Sequence, residues 1–208
     1  SYFCSNYGFN KVKEVYSYRN LKNIWFDEIK IFCLKNKISF IESKDSLIAD
    51  NNYLSFAIGW QYIIQSTNNL IIFHDSLLPK YKGFSPLVNG LINGDRKFGV
   101  SSIMASKKYD EGDLIYQNSI NVKYPIKIHE LIIKITSLYQ KQLKKIYESH
   151  ILKKKLPSKK QNKKNESYGV WLDDDDYFID WSWPAIKIRN FINAVSYPYG
   201  FAKTRFSN

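Results

Sequence analysis

Cysteine is scarce in this chain of 208 residues, and it has no long hydrophobic run. Only Cys4 and Cys33 occur, which excludes a dense disulfide framework and a cysteine-rich metal site. No apolar run reaches the roughly 18 residues that span a membrane, and no charged-then-apolar signal peptide begins at Ser1. We therefore expect a reduced, cytoplasmic protein that does not enter a membrane.

The charge of the chain is strongly unbalanced. Thirty-one Lys and Arg residues against 19 Asp and Glu residues give a formal net charge of +12. Most of the excess lies in residues 141–164, a pattern more typical of a solvated helix face and a flexible segment than of a binding groove. A hydrophobic content of 44% argues against general disorder. An anionic substrate or a tRNA remains open as a partner.

Short apolar strands alternate with helical patterns along the chain. The predicted strands are residues 12–18, 38–41, 54–60, 70–73, 98–104 and 114–122. The predicted helices are residues 24–34, a helix from Pro86 with Ser85 as its N-cap, and residues 126–152. This alternation predicts an α/β fold with a Rossmann-like, open, mostly parallel sheet and flanking helices.

Composition divides the chain into three parts. Residues 1–155 hold all the predicted strands, residues 156–166 are polar and lysine-rich like a linker, and residues 167–208 begin a C-terminal region. In that region Asp180 or Ser182 is expected to cap a helix over residues 186–195. Both ends look cut, so we expect sequence to be missing on either side.

One histidine and one acidic loop carry the chemistry that the sequence suggests. The apolar run before His74 ends abruptly there, and Asp110 lies in a turn-rich loop between two later strands. Ligands of open α/β sheets bind at strand ends, and an imidazole beside a carboxylate can exchange protons near neutral pH. Asp75 is expected only to cap a loop.

The spacing of these residues matches a known family. The pattern His74-x-Ser76-Leu77-Leu78-Pro79-x-x-x-Gly83-x-x-Pro86, followed by Asn93-Gly94, Gly99-Val100 and Asp110-x-Gly112-Asp113, resembles the 10-formyltetrahydrofolate-dependent formyltransferases. That family includes enzymes that act on methionyl-tRNA and on amino sugars. With the C-terminal stretch from Asp180 to Ala202, the matches cover roughly residues 54–202.

The resemblance implies a role for each matching position. His74 and Asp110 would be catalytic, the histidine as a hydrogen-bond donor to the formyl oxygen and the aspartate as its orienting partner. The folate donor would carry the one-carbon unit without a metal. The resemblance places the pterin near six residues, namely Trp60, Phe73, Tyr109, Glu111, Gly112 and Asp113. Ser76, Lys80 and Lys82 are expected to contact the amine substrate.

One position departs from the family pattern. Family members usually have an asparagine two residues before the histidine, and this chain has Ile72 there. Isoleucine cannot donate a hydrogen bond, so one expected contact to the formyl oxygen is missing. Three explanations stay open: another group substitutes, catalysis is slower, or the chain is a non-catalytic folate- or nucleotide-binding homologue.

The amine acceptor has two candidates. A nucleotide-linked amino sugar fits the stretch from Pro86 to Gly94, and Lys80 and Lys82 would then attract its phosphates. Methionyl-tRNA fits the high positive charge and the lysine-rich linker. A homodimer is a further option that no residue of the chain decides.

Overall fold

The computed structural model describes residues 2–19, 24–43, 52–62, 64–65 and 68–205. Every predicted strand lies within two residues of its expected bounds. The strands are β1 (Glu14–Ser17), β2 (Ser39–Glu42), β3 (Ser55–Ile58), β4 (Leu70–His74), β5 (Lys82–Gly83), β6 (Lys97–Met104), β7 (Leu114–Asn121) and β8 (Tyr168–Gly169). The helices are α1 (Tyr2–Tyr7), α2 (Phe26–Lys35), α3 (Pro86–Ile92), α4 (Ile128–Ile151) and α5 (Ala185–Ala194).

The main sheet has four strands in the order β3-β4-β6-β7. β3 and β4 are parallel, as are β1 and β2 in a separate two-stranded sheet. β6 runs antiparallel to both β4 and β7. A single loop joins β6 directly to β7, and an antiparallel pair of this kind needs no crossover helix. The predicted α/β class is confirmed, with this antiparallel hairpin as an addition at one side.

Helix α4 covers one face of the main sheet. Its buried side chains Ile128, Leu131, Ile135 and Leu138 recur at helical spacing and join the main core. Burying each such aliphatic side chain contributes about 1.5–3 kcal/mol. Tyr139 of this helix stacks on Phe73 of β4, with 5.6 Å between ring centroids. The α4 contacts therefore fix which face of β4 points into the core.

A smaller cluster lies at the N-terminal end of the chain. Cys4, Cys33 and Ile38 are buried together, and both cysteines are free thiols. Helix α1, which the sequence pattern did not predict, supplies Cys4 to this cluster. Within the described ranges, no helix is long and apolar enough to cross a lipid bilayer.

Two predicted helix caps are not found. Helix α3 begins at Pro86 as expected, but Ser85 has a φ of 47° and makes no side-chain cap. Helix α5 begins at Ala185, so the prediction that Asp180 or Ser182 caps it is wrong. Asp180 instead accepts hydrogen bonds from the backbone N and the Oγ of Ser182, at 2.9 and 2.6 Å. These bonds close a local turn before the helix, which leaves neither side chain for its first N–H groups.

Candidate active site

The end of strand β4 presents His74 on the sheet face opposite to α4. Side chains alternate along a strand, so His74 and Ile72 share one face while Phe73 points to the core. His74 is 8% exposed and pairs with Ser101 of the neighbouring strand β6. The histidine is therefore anchored on a rigid element with little freedom to rotate.

The loop between β6 and β7 brings Asp110 back to this histidine. Because β6 is antiparallel to β4, β6 ends beside Ile71 rather than beside His74, and the loop has to fold back. Gly112 permits this return, since a Cβ there would lie 1.7 Å from the carbonyl oxygen of Met104. His74 and Asp110 were expected at the ends of neighbouring strands. In the structure, the folded-back loop brings Asp110 to His74.

Both ring nitrogens of His74 face oxygen atoms. Nδ1 lies 3.5 Å from Oδ1 of Asp110, and Nε2 lies 2.7 Å from the carbonyl oxygen of Tyr81. A carbonyl can only accept, so Nε2 carries a hydrogen and donates it to Tyr81. The other carboxylate oxygen of Asp110 accepts a 2.8 Å hydrogen bond from the backbone N of Gly83. Three chain segments therefore fix the relative orientation of imidazole and carboxylate.

Buried serines hold the loop that follows His74. Ser76 Oγ donates to the carbonyl of Lys80 at 2.6 Å, and the Ser76 residue is only 5% exposed. Ser101 Oγ donates to the Ser76 carbonyl at 2.6 Å and accepts from the backbone N of Leu78 at 3.1 Å. Ser76, expected at the substrate, thus shapes the loop instead. Ser101 was missed by the sequence analysis, although a serine inside a buried apolar strand is a signal of such a role.

The segment expected to be a linker forms one wall of this site. We call residues 158–169 the strap. On one side the strap binds the acidic loop: Gln161 Nε2 donates to the carbonyls of Asp110 at 2.6 Å and Gly112 at 2.9 Å. Ser158 Oγ also donates to Asp113 at 2.7 Å. These contacts hold the acidic loop in its folded-back position.

On its other side the strap binds the loop that contacts His74. Ser167 accepts from the backbone N of Tyr81 through its Oγ at 3.0 Å, and its own backbone N donates to the Pro79 carbonyl at 3.2 Å. The Lys82 ammonium lies 2.9 Å from Glu166, and Lys82 is 1% exposed. Lys82 was expected to attract substrate phosphates, but here its charge is buried and already paired. Lys80, in contrast, is exposed.

Comparison with known proteins agrees with this arrangement. The sequence profile of a family described as formyl transferase matches residues 53–147, which include His74, the acidic loop and most of α4. This match places residues 53–147 of the chain in the formyltransferase family. Residues 53–147 are thus its formyltransferase domain, and the strap lies outside the matched range.

Curated relatives of this formyltransferase domain are longer than the chain. It is 26% identical over 187 residues to a methionyl-tRNA formyltransferase of Ureaplasma parvum, covering 84% of this chain and 61% of the relative. It is 30% identical over 197 residues to the methionyl-tRNA formyltransferase of Mesoplasma florum, covering 93% of this chain and 59% of the relative. The chain therefore spans about three fifths of the length of these relatives.

Solved formyltransferases share the fold at low sequence identity. A sugar 3N-formyl transferase, crystallised in the presence of dTDP and 5-N-formyl-THF, matches with a TM-score of 0.67 and 20% identity. That match covers 92% of this chain and 72% of the solved one. Methionyl-tRNA formyltransferase from Clostridium thermocellum matches with a TM-score of 0.64 and 18% identity, covering 94% and 88%.

The fold separates the residues that were expected near a pterin. Tyr109 is 63% exposed on the acidic loop, and Glu111 is partly buried there, 4.0 Å from Lys108. Trp60 packs edge-on against Tyr18, with ring centroids 5.3 Å apart. Phe73, in contrast, lies in the core and faces away from His74. The structure thus brings the acidic-loop residues to the site but not Phe73.

Ile72 occupies the position where formyltransferases usually have asparagine. It is partly buried and lies two residues before His74 on the same sheet face. Its strand neighbours are Ala57 and Ile103, neither of which has a side-chain donor. The apolar surface beside His74 is therefore continuous across three strands.

A second carboxyl group lies directly behind the histidine. The Tyr139 hydroxyl donates a hydrogen bond to Asp75. Burial raises the pKa of Asp75 to about 6, and the neighbouring His74 opposes that rise. Burial also raises the pKa of Tyr199 to about 12, with the charge of Asp75 as a further cause. Asp75, expected only to cap a loop, is thus part of a partly buried polar group next to the site.

Proposed function

We propose that this protein transfers a formyl group from 10-formyltetrahydrofolate to a primary amine. The observation that carries the proposal is the His74–Asp110 pair, with 3.5 Å between Nδ1 and Oδ1, inside the range that matches the formyltransferase family. A histidine with only a structural role at a strand end would not need a loop that folds back to place a carboxylate beside it. The pair is an acid–base unit held in place by the loops on both sides.

The side chains present fit a folate. Gln161 Oε1 and Trp60 Nε1 are buried, and neither has a hydrogen-bond partner in the described part of the chain. Buried polar atoms are normally paired, so an acceptor at Gln161 and a donor at Trp60 suit the mixed donors and acceptors of a pterin ring. When bound, the folate supplies the formyl group. Within the described residues, no group of three His, Cys, Asp or Glu side chains is placed to hold a metal ion.

The chain's own groups suit formyl transfer. Attack by an amine places negative charge on the former carbonyl oxygen, and a donor aimed at that oxygen is typically worth about 2.7–4 kcal/mol. Nε2–H of His74 already donates to the Tyr81 carbonyl, so the donor left for that oxygen is a protonated Nδ1, and Asp110 accepts the proton that the amine loses. The gap of 3.5 Å between them is longer than a hydrogen bond. Catalytic pairs of this kind often tighten only when substrate binds.

The proposed acceptor is a nucleotide-linked amino sugar. The support is the fold shared with the sugar 3N-formyl transferase that was crystallised with dTDP. Methionyl-tRNA is the second candidate, and its support is that the curated relatives described above carry the name methionyl-tRNA formyltransferase. A non-catalytic folate-binding protein is the third, and its only support is Ile72.

The decisive experiment offers the protein 10-formyltetrahydrofolate with dTDP-linked amino sugars or with methionyl-tRNA. We expect formyl transfer to one acceptor, and a loss of about 100-fold or more in His74→Asn and Asp110→Asn. His150→Asn is the matched control, because His150 is exposed at the end of α4 and its loss should leave the rate unchanged. Folate binding without transfer to any amine would overturn the catalytic proposal.

A further inference from the structure

The two residues that contact the imidazole of His74 both have a left-handed backbone without being glycine. Tyr81, whose carbonyl accepts from Nε2, has a φ of 52°, and Asp110, whose carboxylate faces Nδ1, also has a φ of 52°. A side chain makes this conformation unfavourable, and for a bulky residue such as tyrosine it is rare. Such residues persist where the surrounding structure holds them, and they cluster at functional sites. The orientation of the imidazole therefore depends on contacts that hold these two residues.

The strap supplies contacts that hold Tyr81. Ser167 Oγ accepts a 3.0 Å hydrogen bond from the backbone N of Tyr81. The main chain of Ser167 bonds to the same loop, since its N–H donates to the Pro79 carbonyl at 3.2 Å and its carbonyl accepts from the backbone N of Lys82 at 2.9 Å. Ser167 thus bonds to the chain before, at and after Tyr81. These bonds together fix the direction of the Tyr81 carbonyl.

The strap also holds Asp110, both at its backbone and at its carboxylate. Gln161 Nε2 donates to the Asp110 carbonyl at 2.6 Å. The carboxylate accepts from the backbone N of Gly83 at 2.8 Å, and Gly83 pairs with Gly169 of the strap in the parallel sheet β5-β8. The fit there is close, because a Cβ on Gly169 would lie 2.2 Å from the carbonyl oxygen of Phe84. The strap therefore limits how far the carboxylate can move relative to the imidazole.

The neutral imidazole of His74 has one N–H and two oxygen acceptors that compete for it. The Asp110 carboxylate is charged and is the stronger acceptor, but it lies 3.5 Å from Nδ1, whereas the Tyr81 carbonyl lies 2.7 Å from Nε2. The hydrogen stays on Nε2 because the Tyr81 carbonyl is held at this distance. With Nε2 occupied, a further proton binds at Nδ1, beside the carboxylate. Nδ1 is the nitrogen that the proposed reaction uses as donor.

We propose that Ser167 and Gln161 are positioning residues for formyl transfer. Ser167 sets the tautomer of His74 through the Tyr81 carbonyl, and Gln161 sets the position of the Asp110 carboxylate through its main chain. The strap thus acts together with the catalytic pair, although it lies outside the range that matches the formyltransferase family. The inference rests on the proposed function for the reaction that is positioned, but the tautomer of the histidine is measured without any substrate.

The first test observes the ring nitrogens of His74 by NMR on protein labelled with 15N-histidine. The chain has three histidines, and the spectrum of His74→Asn identifies the signals that belong to this one. In the neutral ring of wild type we expect the hydrogen on Nε2. Ser167→Ala removes the hydroxyl that holds Tyr81, so both tautomers should become populated as the hydrogen moves in part to Nδ1. Ser167→Thr keeps a hydroxyl and should restore the wild-type signals.

The second test measures formyl transfer with both substrates at saturation. We expect kcat to fall about tenfold in Ser167→Ala, with KM for the amine unchanged and with recovery in Ser167→Thr. Gln161→Met removes the amide, and kcat should fall about tenfold or more because two hydrogen bonds to the acidic loop are lost. Saturating donor removes the effect of weaker pterin binding in that variant. Ser137→Ala is the control, because it removes a hydroxyl that donates to a backbone carbonyl on the exposed side of α4, and its kcat should equal that of wild type.

The role of Ser167 is wrong if Ser167→Ala keeps the wild-type ring signals or the wild-type kcat. It is also wrong if Ser167→Thr does not recover both, or if kcat falls only as far as the folded fraction does, since a purely structural role predicts that result. An unchanged kcat in Gln161→Met would overturn the role of Gln161. If wild type transfers no formyl group to any amine, the proposed function fails, and the ring signals still decide whether Ser167 sets the tautomer of His74.

Discussion

Replacing Asp75 by asparagine tests the partly buried carboxyl group next to His74. Burial raises the pKa of Asp75 from 3.8 to about 6, against the opposing effect of His74. One pKa unit corresponds to about 1.36 kcal/mol, so the ionised carboxylate destabilises the folded chain by roughly 3 kcal/mol. Asparagine carries no charge, yet its carbonyl oxygen can still accept the hydrogen bond from Tyr139.

The sign of the effect follows from the raised pKa of Asp75. Below pH 3.8 the carboxyl is protonated in the folded and the unfolded chain, and its burial carries no charge penalty. Between pH 3.8 and about 6 the unfolded chain ionises first, so the folded state loses stability as pH rises. Above about pH 6 the penalty is complete. Asp75→Asn should therefore gain about 1 kcal/mol at pH 4.5 and about 3 kcal/mol at pH 7.5.

Urea unfolding at pH 4.5 and pH 7.5 measures the free energy of unfolding of Asp75→Asn relative to wild type. For a domain of this size, 1 kcal/mol shifts Tm by about 2–4 °C, so Asp75→Asn should raise Tm by roughly 6–12 °C at pH 7.5. Asp174→Asn is the control with the same change in net charge. Its side chain is 99% exposed and lies 3.8 Å from Lys203, a surface pair that contributes little. An equal gain at both pH values, or no gain at pH 7.5, would refute the reasoning.

Three further substitutions test the site and its walls. Ile72→Asn places an amide donor two residues before His74 and should raise the single-turnover rate of formyl transfer about tenfold or more; an unchanged rate would show that another group already holds the formyl oxygen. Glu166→Gln should lower the urea midpoint more than Lys82→Met, because it leaves a buried ammonium without its anion; equal losses would contradict that asymmetry. Gly112→Ala should abolish transfer and expose the acidic loop to proteolysis, since the added Cβ would lie 1.7 Å from a backbone oxygen; an intact loop in that variant would show that the backbone can shift.

Local patterns were sufficient for most of the architecture. Short apolar runs, and alternation over residues 12–18, predicted the strands, while spacing of three and four residues predicted α4, because each pattern arises within the element itself. The candidate pair was also predictable, since His74 and Asp110 each sit in a short contiguous motif. The two helix caps that were predicted but are not formed show the limit of local patterns. A cap depends on the exact turn that precedes the helix.

Contacts between distant segments could not be predicted in this way. Residues 156–166 are polar and rich in lysine, which is equally typical of a free linker and of an exposed strap. Their role depends on Gln161 meeting a loop 51 residues earlier and Glu166 meeting Lys82 across 84 residues. The sequence around these residues does not indicate either contact, because only folding brings the two segments of each contact together.

The sequence by itself determined the α/β class, the strand that carries His74 and the motif of the acidic loop. Only the tertiary structure decided that Asp110 folds back to His74, that Lys82 is paired and buried, and that the strap holds Tyr81 and Asp110 on either side of the imidazole. The physical reason is range: strand and helix patterns are read within a few residues, whereas burial and charge pairing depend on which distant segments the fold places in contact.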